Sequence, residues 1–312
     1  MANNLRDIRR KMKATRSTRQ VTKAMELVSA SKMRKAVKHA QQLRRYALSA
    51  WKILQSIAHS KGKEPHPFTT EKPVKNVLAI LVSTDRSLCG SLNSQIFRAA
   101  TQYVNGLKEI KTFEKIDFLT IGRKGTQFVQ RQHHTSVAAF PALSNHPQFK
   151  DILPIAKVAL DEFANGTYDH VVIVYTEFIS ALAQEATVKP LLPFAESDMT
   201  KMIGGIFERK KLTKEEQEIA EQKDPNVYDY TFEPSPEEVL DVILPQLTEI
   251  QMFHSVLESA ASEWSARMVA MRNASDNASG LLDDLTLTYN QTRQAIITAE
   301  LAELSASKAA LD

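Results

Sequence analysis

QLTEIQMFHSVLESAASEWSARMVAMRNASDNASGLLDDLTLTYNQTRQAIITAELAELSASKAALD, residues 246–312, contains one glycine, Gly280, and no proline. Alternate steps of four and three give Ile250, His254, Leu257, Ala261, Trp264, Met268, Met271, Ser275, Ala278, Leu282, Leu285, Tyr289, Thr292, Ile296 and Ala299. This is a heptad seam, largely apolar and rich in small residues, and it predicts a left-handed coiled coil. Its occupants are not the Leu, Ile and Val of a strong zipper. Close packing of two thin helices fits them better than a stable homodimer.

The other end has the same lack of punctuation, with no Gly or Pro before Gly62. Its weaker stripe runs through Leu5, Ile8, Met12, Met25, Val28, Ala36, Ala40, Leu43, Ala47, Trp51 and Leu54. Globular helices average about three turns, so each end predicts an unusually long helix of roughly 50 residues or more, about 75 Å at 1.5 Å per residue. Such helices need a partner. The two ends of one chain supply it if residues 5–58 and 246–305 pair antiparallel, and the shape points to a mechanical or scaffolding role.

Charge is just as uneven. Residues 1–52 hold fifteen Lys/Arg and two acids, Asp7 and Glu26, a balance of +13 within a chain whose total is only +4. A basic helix can neutralise phosphates, pass through an acidic protein collar, or serve as a solvated face. Its length and interleaved apolar positions favour a partner. The single cysteine, Cys89, excludes a disulfide framework. No apolar run approaches the roughly 20 residues needed to span a bilayer. The Arg-rich start resembles a transit peptide in composition, but its pattern continues without a break and reads as mature structure.

Between these ends the punctuation returns. NVLAILVS (76–83), KIDFLTIG (115–122) and DHVVIVYTEF (169–178) read as buried strands, and 94–107 and 149–163 as helices. The alternation predicts a mostly parallel sheet with crossovers. A linker, 60–73, precedes this α/β domain, and a charged stretch, 208–229, follows it as a surface excursion. The expected domains are an N-terminal coiled-coil helix (1–59), the α/β domain (74–195), an excursion and connection (196–237) and a C-terminal coiled-coil helix (238–312).

Catalytic signatures are missing. There is no P-loop and no G-x-G-x-x-G after the first strand; Gly122 and Gly125 in GRKG read as a turn. Cys89 with His133 and His134 could be written as a nucleophile site, but a lone Cys is usually a small buried hydrophobe. The adjacent histidines lack the spacing of a zinc pair. No catalytic residue, cofactor or metal is expected.

Four blocks sharpen this picture. TRQVTKAMELVSASKMRKA (18–36) and SEWSARMVAMRNASDNASGLLDDLTLTYNQTRQAIITAELAEL (262–304) resemble the first- and last-helix signatures of F-type ATP synthase gamma subunits. STDRSLCGSLN (83–93) is similar to that family's central motif, with Ser87 and Ser91 standing where it usually has glycine. YTFEPSPEEVLDVILP (230–245) resembles its run into the last helix. The resemblance implies a rotor shaft made of an antiparallel coiled coil, with a Rossmann-like α/β domain at its foot. It implies partners: alpha and beta subunits of the catalytic hexamer, an epsilon subunit and a membrane ring of c subunits, with one copy of this chain per complex. ATP would form on beta, and this chain would only transmit torque. The expected place is peripheral, on the cytoplasmic face of a bacterial inner membrane, or on the matrix side in a mitochondrion.

By the same resemblance Met25, Arg267, Arg293, Gln294, Thr298 and Glu300 are the expected contacts with an acidic beta loop, and Phe232 and Glu233 the contacts with the ring. Arg267 could instead pair with Glu263 along its helix, and Met25, Met33, Met268 and Met271 could be plain coiled-coil packing. A shaft that turns should make weak, replaceable contacts, which argues against an outward apolar stripe. Its last residues, SASKAALD, would sit in an apolar sleeve. The alternative reading is a basic coiled-coil protein that binds nucleic acid.

Overall fold

The computed structural model describes residues 2–59, 66–70, 72–143, 147–194, 233 and 235–309. The elements are α1 (Ala2–His59), β1 (Asn76–Val82), α2 (Leu92–Lys108), β2 (Lys115–Ile121), α3 (Arg123–Arg131), β3 (Thr135–Phe140), α4 (Phe149–Ala164), β4 (His170–Phe178), β5 (Gln184–Leu192) and α5 (Pro236–Ala309). They divide into two compact units, one of residues 1–31 with 267–312 and the other of residues 32–266.

In the larger unit five strands form one sheet in the order β3-β2-β1-β4-β5. All pairings are parallel except β4 with β5. The central strand β1 reads as a continuous apolar run because helices cover both of its faces. Leu78, Ile80 and Val82 pack with Ile152 and Ile155 of α4 and Met252 and Val256 of α5. Val77, Ala79 and Leu81 pack on the other side with Ile96, Ala100 and Val104 of α2 and Val129 of α3. Fully burying one such Leu or Ile side chain contributes about 1.5–3 kcal/mol. The two-residue alternation therefore decides which helix lies on which face.

The expected strands and helices of this region are present, with ends shifted by no more than two residues. Three features differ from the sequence reading. GRKG is the start of α3 rather than a simple turn, and its glycines answer a steric demand. A Cβ on Gly122 (φ 93°) would lie 2.2 Å from the Ser83 carbonyl oxygen, and one on Gly125 would lie 2.7 Å from Ser83 Oγ. Strands β3 and β5 lacked the buried-run signal because both are edge strands, half-buried or exposed along most of their length. The last helix starts at Pro236 and runs through Pro245. The charged stretch 208–229 lies outside the described residues.

In the smaller unit the heptad reading of α5 is seen residue by residue. From Met271 to Ala299 the seam positions are buried or half-buried, and the positions between them are exposed apart from Ala274 and Ser279. On α1 the inward positions are Ile8, Thr22 and Ser29, with Leu5, Met12 and Met25 half-buried. Val28 is corrected: it is 53% exposed, because the three-and-four step from Thr22 through Met25 lands on Ser29. The side chains of Ala47, Trp51 and Leu54 lie outside the described residues.

Candidate partner-binding surfaces

In open α/β sheets ligands bind beyond the carboxyl ends of the strands, where the strand order reverses. Here that point lies between β1 and β4. The loop after β1 satisfies its polar groups internally. Ser83 Oγ accepts from the Gly125 N–H at 2.7 Å and donates to the Ile121 carbonyl at 3.0 Å. Thr84 Oγ1 accepts from Asn93 Nδ2 at 2.8 Å and donates to the Arg86 carbonyl at 2.7 Å. Asp85 Oδ1 accepts the N–H groups of Arg123 and Ala142 at 3.1 and 2.9 Å, tying three loops together. Ser91 has φ −87°, and Ser87 is not in the left-handed region, so neither position requires glycine.

Beyond Val174, the last β4 residue paired with β1, the edge of β4 is occupied by the chain itself. Ser259 Oγ of α5 accepts from the Thr176 N–H at 3.2 Å, and Ser262 Oγ donates to the Thr176 carbonyl at 3.2 Å. Ser265 Oγ donates to the Ala181 carbonyl in the β4–β5 turn. These serines, at helical spacing beside the apolar seam, tie α5 to the end of β4 where the strand order reverses. Sequence reasoning missed them, although their spacing is the one signal that could have found them.

Cys89 is 2% exposed, with Asn93 Nδ2 3.4 Å from its sulfur near the start of α2. His134 packs against Phe118 at 5.1 Å, beside Lys108 at the far end of α2. The cysteine and the histidine thus belong to different surroundings. Among the described residues no group of three His, Cys, Asp or Glu is placed to hold a metal.

Exposed polar and charged side chains lie along both long helices. Arg293, Gln294, Thr298 and Glu300 are all exposed, on one stretch of α5. Met25 is half-buried, and Arg267 is buried at 3% exposure, so the structure does not set it among those four. Glu233 is exposed, and Phe232 lies outside the described residues. On α1 the side chains of Arg6, Arg9, Arg10, Lys11, Lys13, Arg16, Arg19 and Lys23 are exposed. Some are engaged: Arg10 pairs with Asp7 at 3.1 Å, Lys23 with Glu26 at 2.9 Å, and Arg9 reaches the Tyr289 hydroxyl at 2.6 Å. Exposed pairs of this kind contribute little.

The expectation of no outward apolar stripe is overturned. Ile297, Leu301 and Leu304 follow the four-and-three step on α5 and are 47%, 59% and 68% exposed. Val21, Leu27 and Val28 are exposed on α1 as well. The seam claims only one side of a two-helix layer, so among the described residues nothing covers the apolar side chains off the seam. No described helix is long and apolar enough to cross a membrane.

The ATP synthase family model matches residues 4–311. The ATP synthase gamma chain of Legionella pneumophila (strain Corby) is 36% identical over 306 residues, covering 98% of this chain and 99% of the relative. That of Roseiflexus sp. (strain RS-1) is 39% identical over 308 residues, covering 98% of each. Among solved structures, the rotor of the Euglena gracilis mitochondrial ATP synthase aligns with a TM-score of 0.59 at 20% identity, over 95% of this chain and 100% of that one. The central stalk and c-ring structure of the Tetrahymena thermophila mitochondrial enzyme aligns with a TM-score of 0.56 at 24% identity, over 82% of this chain and 99% of that one. At these identities the structural matches speak to fold alone.

Proposed function

Because the chain belongs to the ATP synthase gamma chain family, we propose that it is the central rotor shaft of an F-type ATP synthase, coupling a proton-driven c-ring to three catalytic beta subunits. Its partners are the alpha and beta subunits, the epsilon subunit and the ring. It sits peripherally on the membrane complex, on the cytoplasmic face in a bacterium or the matrix side in a mitochondrion. The single observation that carries this reading is helix α5, which from Met271 to Ala299 covers a heptad seam and leaves the positions between exposed apart from Ala274 and Ser279.

The shaft is an antiparallel coiled coil. In the smaller unit Arg9 meets Tyr289 by hydrogen bond and ring contact. Within the larger unit Lys32 lies 4.3 Å over the Trp264 ring, and Lys35, Ala36 and His39 share a groove with Leu257 and Ala260. Small residues and an Arg–Tyr pair suit a close seam. The foot is Rossmann-like in strand order, with an antiparallel edge, and the domain limits are 1–59, 74–195, 196–237 and 238–312.

The chain is non-catalytic, a reading supported by the closed crevice at Thr176. Arg293, Gln294, Thr298 and Glu300 meet an acidic beta loop, where an Arg fork can pair bidentately with a carboxylate. Met25 and Arg267 support that contact from inside the coil, and Phe232 and Glu233 face the ring. The stripe Ile297, Leu301 and Leu304 lies in an apolar sleeve with the small terminal residues. An apolar contact of this kind has no angular preference, so it can guide a turning shaft.

The test is reconstitution. The purified chain should show no steady ATPase activity and should be retained by alpha and beta at moderate salt. Retention on DNA that falls steeply with salt, without alpha–beta retention, would restore the nucleic-acid reading, which the comparisons do not support.

A further inference from the structure

We propose that the cleft between α2 and α3 binds a small planar aromatic anion, with the ring against Phe128 and the charge at Lys108 and His134. This cleft, about 130 Å³, is unused by the rotor reading and does not rest on it. Its size approaches the roughly 150 Å³ cavity that admits benzene.

The floor is rigid and aromatic. Phe118 is 1% exposed in β2, and Phe128 stacks on Phe97 with centroids 4.5 Å apart and planes 2° from parallel. Phe118 is already covered by the His134 ring, so a flat ring gains its offset or edge contacts against Phe128. The rim supplies Lys108, Asn105, Gln132 and His134, and no carboxylate lines the cleft. Among the described residues none of these four side chains has a hydrogen-bond partner, so their donors are available to a ligand. One lysine, one imidazole, two amides and no acid select for an anion over a cation.

Burial and the neighbouring Lys108 charge both lower the pKa of His134. A carboxylate placed between them opposes the second cause.

Sodium benzoate titrated calorimetrically into the full-length chain tests the proposal, with acetate and cyclohexanecarboxylate as comparison probes. Benzoate should bind saturably with a Kd on the order of 1 mM, the range open to a ligand of this size. Acetate, which lacks the ring, should bind at least about tenfold more weakly. Lys108→Ala, at an exposed position, should leave the circular dichroism unchanged and weaken benzoate about tenfold, as expected for loss of a charge-assisted bond. The amide signals of Gln132 and His134 should shift on addition of benzoate. Failure to saturate, equal affinity for acetate, or unchanged affinity in both Lys108→Ala and His134→Gln would overturn the assignment.

Discussion

Replacing Arg293 and Gln294 together by Ala separates the surface of α5 from its seam. Both residues are exposed, and Ala is the best helix former, so the fold should change by no more than about 0.5 kcal/mol. A charge-assisted contact with an acidic loop contributes about 1.5–3 kcal/mol, so its loss weakens engagement about 10- to 150-fold. Leu282→Ala is the counterpart. Leu282 is a seam residue at 8% exposure, and its truncation should cost about 2 kcal/mol, the low end for a buried Leu because a two-helix layer relaxes easily. Complexes assembled with alpha and beta should be compared at matched assembly for ATP turnover, ATP-driven proton pumping in vesicles and thermal melting. The double variant should assemble and melt like wild type but pump poorly, whereas Leu282→Ala should melt early. Arg267→Ala belongs with the second group, because a guanidinium at 3% exposure leaves a buried void when removed. Equal pumping by the Arg293/Gln294 variant and wild type would reduce these side chains to solvated surface and refute the reasoning.

Further measurements check other parts of the molecule. Gly122→Ala should destabilise the α/β unit by about 3 kcal/mol or prevent folding, from strain at φ 93° and a Cβ 2.2 Å from backbone. Gly280→Ala, where nothing lies within 4 Å, should instead raise the melting temperature through helix propensity; urea titrations of both variants decide. Cysteines at positions 9 and 289, joined by a short bismaleimide, should cross-link within one chain. Links only between two copies would replace the intramolecular coil by a dimeric rod. Burial raises Tyr103 to about 12, so its phenol stays neutral in the fold while the unfolded chain ionises near 10. Stability from this group is complete below pH 10 and declines by about 2–3 kcal/mol toward pH 12. Tyr103→Phe should flatten that part of the alkaline stability curve, and an unchanged slope would mean that the phenol is not held neutral.

Legibility in the sequence followed burial geometry. The α5 seam was readable because one narrow side is covered, so a period of 3.5 residues survives in the composition. The strand β1 was readable because both faces are covered. Edge strands β3 and β5 were not, since solvent tolerates Thr135, Gln184 and Glu185 where a central strand would not. Val28 continues the apolar stripe in the sequence, yet the smaller Ser29 takes the inward position because a close helix approach selects size over apolarity. The exposed polar patch of α5 was reached through resemblance, since solvated residues carry no periodic signal of their own. The serines at 259, 262 and 265 satisfy specific backbone groups across space, and period alone does not announce a partner.

Those serines also bear on what occupies the crevice of this sheet. A doubly wound sheet exposes backbone N–H and C=O groups where neighbouring strands part, and in nucleotide-binding proteins the ligand and its loop answer them. Here Thr176 is answered by hydroxyls on a helix that continues toward the chain's end. An unpaired buried backbone group costs about as much as a lost hydrogen bond, so both contacts hold the sheet edge and the helix to one register. A ligand entering the crevice would have to displace them, and the helix would lose its anchorage with them. Ser259→Ala with Ser262→Ala should therefore loosen α5 from the sheet. Faster amide hydrogen exchange at Thr176 and around Ala181 is the expected readout, and unchanged protection there would show that the apolar core alone sets the register.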